Sequence, residues 1–437
     1  MTFEQAKTVL VQRATERGVE AEVLATSGRE LTLSAADGRV DEITSATRGG
    51  VGVRVVHEGR IGYASSEALD EASLAWVLDE AIENAALQSA RGAVLVEGHA
   101  LGRSDLIGEG LSAPVERKAE AVTTLESALS ADERVDAIAF ARYSESESEA
   151  VLGSTRGADG GYRNGYAMLM ASPIMRQGES VKQGYEIDFG KEFHAMDPTR
   201  TSQRILEKVG RHLGATPLPT GRYATVFEPE VVATILQLLL FSLSGKTLAE
   251  GKSRLAQRLG QPIASERFTL VDDPTLENGL ASRPFDAEGT PASRTVVIER
   301  GVLRSFLHNS ETARRTGQAN TGHASRSYAS TLGVGATNLM LEAGEGVVLD
   351  DGVIVTNLMG VHAGANPISG DVSVQGLGLR VEGGESRPVE NFALSFNLFR
   401  LLERIEAVGA EVQWRPAGGA IVGARSLQVD ALSFAGA

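Results

Sequence analysis

Apolar positions along the chain change their period several times, and each change marks an element. Thr2 and Gln5 have capping-box spacing at the head of a helical stretch, and Gly18 sits where a helix end favours a left-handed residue. From Ala21 to Ala64 the pattern becomes that of strands. Asp37-Gly38 and Glu58-Gly59 are hairpin turns between Leu31-Thr32-Leu33, Val51-Gly52-Val53-Arg54-Val55 and a strand that begins at Arg60. Leu74, Val77, Leu78, Ala81, Ile82 and Ala85 then form a one-sided helical stripe. Two helices flanking a meander sheet predict an α+β unit over residues 1–95.

A loop rich in glycine and charge, 98–110, leads to a second α+β unit over residues 105–213. Ser112-Ala113-Pro114 opens a helix whose apolar face carries Val115, Ala119, Val122 and Leu129. Strands are predicted at 137–143, 150–154, 166–171 and 181–187, and a helix over about residues 200–213. Gly214 to Gly221, stiffened by Pro217 and Pro219, is the best linker. Residues 218–437 read as β-rich, with strands at 295–298, 303–307, 347–349, 353–356 and 378–381. Glu299-Arg300-Gly301 and Asp351-Gly352 read as turns. An apolar helix lies near the start of this half, and an amphipathic one near its end carries Leu398, Leu401, Leu402 and Ile405, with Gly409 after it.

Length and charge narrow the classes. A chain of 437 residues suggests two or three domains. Its net charge of −15, without any basic run interleaved with aromatics, argues against nucleic acid. Cysteine is absent, which removes disulfides, thiolate nucleophiles and Cys-ligated zinc. The apolar run Val231–Leu243 is well short of the roughly 20 residues a membrane span needs, and the start shows no signal-peptide pattern. A soluble, cytoplasmic protein without membrane contact is expected.

Several motifs fail on inspection. Gly245-Lys246-Thr247 and Gly251-Lys252-Ser253 end like phosphate loops, but Leu240 and Lys246 stand where the first glycine is required. His57-Glu58 begins like a zinc-protease motif, yet Arg60, Ile61 and Gly62 supply no second histidine, and the pair sits on a hairpin turn. No Gly-x-Ser-x-Gly elbow is present. His308, His323 and His362 could meet in the folded C-terminal half, although a scatter of unrelated histidines is the ordinary expectation. Asp371 is a spare carboxylate of the kind that usually holds a turn.

Taken in order, several segments resemble the TldD/PmbA peptidase family. They are Gly50-Val51-Gly52-Val53-Arg54-Val55 with Gly59-Arg60-Ile61-Gly62-Tyr63-Ala64, and Pro284-Phe285-Asp286-Ala287-Glu288-Gly289-Thr290-Pro291 with Ile298-Glu299-Arg300-Gly301-Val302-Leu303. Ala313 to Gly322, ending Asn320-Thr321-Gly322, and Gly364-Ala365-Asn366-Pro367-Ile368-Ser369-Gly370-Asp371-Val372-Ser373, with Gly378 and Glu382-Gly383-Gly384-Glu385, complete the set. The resemblance covers nearly the whole chain. It implies a barrel-like β-rich C-terminal domain and a dimer around a central cavity. It also implies a role in cleaving small or unfolded peptides.

Members of this family come in two kinds: one carries His-Glu-x-x-x-His on a helix with a later cysteine as third zinc ligand, the other pairs with it and carries no metal motif. The spacing to Ile263-Ala264-Ser265-Glu266 and Val271-Asp272-Asp273 places the metal helix at Glu228–Ser244. Leu236, Gln237 and Phe241 then occupy the positions of His, Glu and His. Leu and Phe cannot ligate zinc, and Gln is no general base. The resemblance therefore implies no cofactor in this chain, zinc in a TldD-like partner, and assembly with that partner or with itself. His362, Asn366 and Asp371 are candidate cavity-lining residues, and substrate is expected to bind as an extended strand.

Overall fold

The computed structural model describes residues 1–89 and 92–436. Helix α1 (Phe3–Glu16) starts from the capping box: Thr2 Oγ1 accepts from Gln5 N while the Gln5 side chain accepts from Thr2 N. It buries Ala6, Leu10 and Ala14. The two-residue turns Asp37-Gly38 and Glu58-Gly59, all at positive φ, join β1 (Glu20–Ala36), β2 (Arg39–His57) and β3 (Arg60–Ser66). Helix α2 (Glu71–Ala86), capped by Asp70, lays Leu74, Val77, Leu78, Ala81 and Ala85 on this sheet.

Next come β4 (Ala100–Leu106), α3 (Val115–Ser130), β5 (Val135–Ser154), β6 (Asp159–Gln177), β7 (Ser180–Gln183), β8 (Glu186–Gly190) and α4 (Pro198–Gly210). The strands expected at 137–143 and 150–154 are one strand, β5. The polar run Ser144–Glu149 between them continues because β1 and β6 hydrogen-bond it on both sides. The strand expected at 181–187 divides at Gly184 into β7 and β8, both paired to β6. A single sheet of order β3-β2-β1-β5-β6-β4 runs through these elements.

The remaining elements are β9 (Thr216–Pro217), β10 (Gly221–Phe227), α5 (Pro229–Leu243), α6 (Gly245–Ala249), β11 (Leu270–Asp272), β12 (Thr295–Glu299), β13 (Val302–Leu303), α7 (Ser310–Thr316), β14 (Ala324–Ser325), β15 (Gly333–Val334) and β16 (Asn338–Leu341). After them come β17 (Asp351–Met359), α8 (Val361–Gly364), β18 (Asp371–Glu382), β19 (Glu385–Asn397), α9 (Leu398–Glu403), β20 (Ile405–Val408), β21 (Gln413–Ala417), β22 (Ala420–Ala424) and β23 (Leu427–Ala435). Strands β23-β10-β17-β18-β19 close on themselves through β19–β23 pairing, a barrel. Beside it lies a sheet of order β13-β12-β11-β16-β22-β21. Helix α5 packs against β17 of the barrel and the β21–β22 hairpin, and Val231, Val232, Ile235, Leu236, Leu239 and Leu243 enter the largest core. The class is α+β.

Four local expectations change. Residues 347–349 form no strand, and Val348 is 75% exposed, because no neighbouring strand pairs them. The strand expected at 303–307 shrinks to β13 plus one bridge from Leu307 to Ser244. Asp351-Gly352 opens β17 instead of turning: a Cβ at Gly352 would collide with the Ala224 carbonyl oxygen, so the glycine serves close strand approach. The last amphipathic helix ends at Glu403, and Ile405 belongs to β20, paired with Val429.

Candidate functional site

Helix α5 begins at a charged seam. Pro229 occupies its first turn, where a missing N–H is harmless, and Glu228 and Glu230 flank it at the positive helix end. Both carboxylates are held from α4 and its C-cap: the C-cap residue Arg211 grips Glu228 in a bidentate pair at 2.7 and 2.6 Å, and Lys208 pairs with Glu230. Lys208 also reaches Glu186 at 3.2 Å and the Tyr185 carbonyl at 3.0 Å, while Arg415 of β21 meets Glu186 at 2.8 Å. Burial would raise the Glu186 carboxyl; the Arg415 and Lys208 cations outweigh it and hold the group below the usual carboxylate range. Two adjoining cavities of about 460 and 270 Å³ share Glu186, Lys208, Glu230 and Arg415 in their walls.

The three positions on α5 point in different directions. Leu236 is fully buried in the core. Gln237 is exposed, lines the smaller cavity and packs against Gly418. Phe241 is half-buried, and its carbonyl accepts from Thr247 Oγ1. The helix is regular throughout, so residues five apart diverge. These residues do not fit a zinc ion: two lack any donor atom and the third faces away from both. Among the described residues no three His, Asp or Glu side chains are grouped to hold a metal.

His308 and His323 do come together. His323 N donates to the His308 carbonyl at 3.0 Å, and both side chains are buried. His323 Nε2 lies 3.0 Å from Asp272 Oδ2, which also accepts from Thr337 Oγ1 at 2.5 Å. His308 Nδ1 is 3.0 Å from Thr312 Oγ1, its Nε2 has no hydrogen-bond partner among the described residues, and burial holds its pKa below the ordinary value. His362 is elsewhere, exposed on α8. Asn366 and Asp371 line an open groove between α8 and β18. Both are engaged in the turn itself. Asn366 Oδ1 accepts from Ile368 N and Ser369 N at 2.9 and 3.2 Å. The Asp371 carboxylate accepts from Asn397 Nδ2 and Ser369 Oγ at 2.8 Å each, bonds that hold its pKa below the usual range.

The segments that carried the family resemblance meet at a buried junction that sequence reasoning missed. Arg54 of β2 donates to Glu288 at 2.9 Å and lies 3.5 Å from Glu22; Arg326 reaches Glu22 at 2.6 Å. All four side chains are buried, and their formal charges cancel. Glu288 also accepts from Ser310 N and Oγ at 2.9 and 2.5 Å. Asp286 accepts from Glu288 N, Thr290 N and Ala324 N, yet burial, with Glu288 nearby, pushes it up to about 6. Asn320 Nδ2 donates to Thr290 Oγ1 at 3.0 Å. A Cβ at Gly50 or Gly52 would collide with Tyr328, so these glycines let the C-terminal half lie directly on the first sheet. The one available sequence signal was an arginine inside the apolar strand Val51–Val55.

Three family models match the chain. They are described as PmbA/TldA metallopeptidase domain 1 (residues 21–85), central domain (residues 108–213) and C-terminal domain (residues 220–436). The chain belongs to the PmbA/TldD metallopeptidase family. It is similar to the Haemophilus influenzae metalloprotease PmbA homolog, 27% identical over 422 residues, covering 94% of this chain and 92% of that one. Metalloprotease PmbA of Escherichia coli O157:H7 is 27% identical over 426 residues with the same coverage. A crystal structure from Thermotoga maritima, described as a candidate modulator of a DNA gyrase, superposes with a TM-score of 0.89 at 28% identity, covering 99% of this chain and all of that one. TldE from Thermococcus kodakarensis shares the fold, with a TM-score of 0.86 at 21% identity over 98% of this chain and 100% of that one. Among the described residues no helix is long and apolar enough to cross a membrane.

Proposed function

We propose that the chain is the zinc-free subunit of a PmbA/TldD-type metallopeptidase assembly that acts in the cytoplasm on small or unfolded peptides. The make-up of α5 supports this best. Where the metal-bearing helix of the family belongs, Leu236 is committed to the core, Gln237 faces a cavity and Phe241 is half-buried. With neither ligands nor a general base there, the zinc, and the water activation it supplies, belongs to a partner chain. This chain would shape the substrate space and supply part of the assembly surface.

The test is metal content and cleavage of a fluorogenic unfolded peptide, for the purified chain alone and after mixing with a zinc-motif homologue. Cleavage only in the mixture supports the reading. Stoichiometric zinc on this chain, or cleavage by it alone, overturns it. A second reading, a homodimer that binds a peptide or other ligand without cutting it, draws on the charged cavities beside Gln237. Tight peptide binding by the chain alone, with no gain in cleavage on mixing, would favour that one.

A further inference from the structure

Another cavity, about 480 Å³ in volume, opens between the central and C-terminal regions and shares no wall residue with the two beside Gln237. One wall is the stretch leaving β4, Leu106 to Glu109, together with Lys191 and Glu192 just after β8. The other is the loop that follows β11, from Pro274 to Asn278 and from Ser282 to Pro284. Neither wall is loose. A Cβ at Gly108 would collide with the Lys191 carbonyl oxygen, so glycine lets those two segments touch. On the other side Arg283 N donates to the Pro274 carbonyl at 2.9 Å and Ser282 Oγ to the Leu276 carbonyl at 2.7 Å. Asn164 of β6 ties the same loop down, its Nδ2 donating to the Leu280 and Ser282 carbonyls at 2.9 and 3.2 Å.

The charges on these walls are unmatched. Lys191, half-buried, donates to the Leu106 carbonyl at 3.0 Å and has no carboxylate in ion-pair reach among the described residues; burial holds its pKa below the ordinary value. Arg283 gives N–H groups to the Ala324 and Gly322 carbonyls at 3.2 and 3.1 Å, and its buried Nε has no hydrogen-bond partner among the described residues. Two wall carboxylates are occupied, Asp105 by Arg163 at 2.8 Å and Glu192 by Gly110 N at 2.9 Å. Glu109 and Glu277 are exposed and hold no cation among the described residues. Withdrawing a cation from water without a counter-charge is costly, so Lys191 sits in want of an anion. Leu106, Ile107 and Leu276 give apolar surface to the same space.

We propose that this cavity binds a free amino acid with an apolar side chain, such as leucine. Its carboxylate would lie on Lys191 and Arg283, its ammonium toward Glu109 and Glu277, and its side chain against Leu106, Ile107 and Leu276. A phosphate or dicarboxylate suits the walls less well: four carboxylates would repel the second negative charge, and the two open glutamates would gain nothing. The site does not rest on the zinc-free reading, since none of its residues lies on α5.

Calorimetry and ligand-observed NMR on the full chain test this with L-leucine, N-acetyl-leucine and leucinamide. Leucine should bind with a dissociation constant at or below about 1 mM, and removing either charged end of the ligand should weaken it about tenfold or more. Glu109→Gln/Glu277→Gln, both exposed changes that leave the core intact, should weaken leucine about tenfold and leave N-acetyl-leucine unaltered. Lys191→Gln should weaken leucine to a similar degree and leave leucinamide unaltered. Leucine should also shield Lys191 from reductive methylation, read by peptide mass mapping. Absence of leucine binding at about 10 mM overturns the proposal, because even a weak site fills there. So does N-acetyl-leucine or leucinamide binding as tightly as leucine, or a leucine affinity that either set of substitutions leaves intact, or Lys191 methylated equally with and without leucine.

Discussion

Substitution of Arg54 by methionine tests the buried junction most directly. Arg54, Glu22, Glu288 and Arg326 form a buried quartet of two cations and two anions, and Glu288 is further held by Ser310. Methionine keeps most of the volume and removes one positive charge, leaving two carboxylates to a single guanidinium. Breaking a buried pair from one side costs about 3–5 kcal/mol, since the stranded charge stays desolvated. The upper part of that range is expected, because Asp286 is already crowded by Glu288. Protonation of Asp286, already pushed up to about 6, would relieve part of the excess negative charge, so the deficit should shrink as pH falls through about 6. The two tryptophans make the assay specific: Trp76 lies on α2 beside the first sheet and Trp414 on β21 in the C-terminal half. In single-tryptophan chains, urea unfolding by fluorescence should be coincident for the parent and separate into two transitions with Arg54→Met. A loss below about 1 kcal/mol with coincident transitions would refute the idea that the quartet holds the halves together.

His212, buried with its Nε2 3.2 Å from Thr356 Oγ1, is lowered to about 4 by burial and by the Arg211, Lys182 and Lys208 cations. Its folded value lies below its unfolded one near 6.5, so its contribution is present above 6.5 and lost as pH falls through about 4, some 3 kcal/mol in all. His212→Gln should flatten the stability profile in that window, measured by denaturant midpoints against pH. Asp286 has the opposite sign: raised to about 6, its contribution is present below the unfolded value near 3.8 and is lost as pH rises through about 6. Asp286→Asn should nevertheless destabilise by about 1–3 kcal/mol at neutral pH, because its NH₂ would face one of three backbone donors; a raised melting temperature would contradict this. Gly52→Ala should lower the melting temperature by pushing Tyr328 off the sheet, at about 1–3 kcal/mol; an unchanged value would count against that packing.

Local chemistry carried what was legible in the sequence. The Thr2–Gln5 box, the positive-φ turns at Asp37-Gly38 and Glu58-Gly59, and the stripe from Leu74 to Ala85 each need only neighbouring residues. The helix that the family resemblance places at 228–244 runs Pro229–Leu243, and the proline and flanking glutamates suit its start. Strand length was illegible where pairing decides: Ser144–Glu149 has no apolar alternation, and only its two neighbours keep it extended. The charged quartet was beyond reach for a plainer reason. Arg54 and Glu288 stand 234 positions apart and Arg326 and Glu22 stand 304 apart, and no periodicity connects them. The candidate site divides the same way: the residue types at Leu236, Gln237 and Phe241 stand in the sequence itself, while the ion pairs around Glu186 needed α4, β8 and β21 to be brought together.

One property of the first sheet bears on how the molecule can be cut. Strand β1 is paired on one side by β2, which follows it directly, and on the other by β5, which enters only after α2, β4 and α3. A truncated chain ending after α2 would leave β1 bare from Glu22 to Ser34 along an entire side, and such a fragment should aggregate when expressed alone. A chain nicked between α2 and β4 meets the opposite fate. Its two pieces remain stitched by the thirteen-residue β1–β5 ladder and by the Arg54–Glu288 pair, so they should co-purify and travel together until denatured.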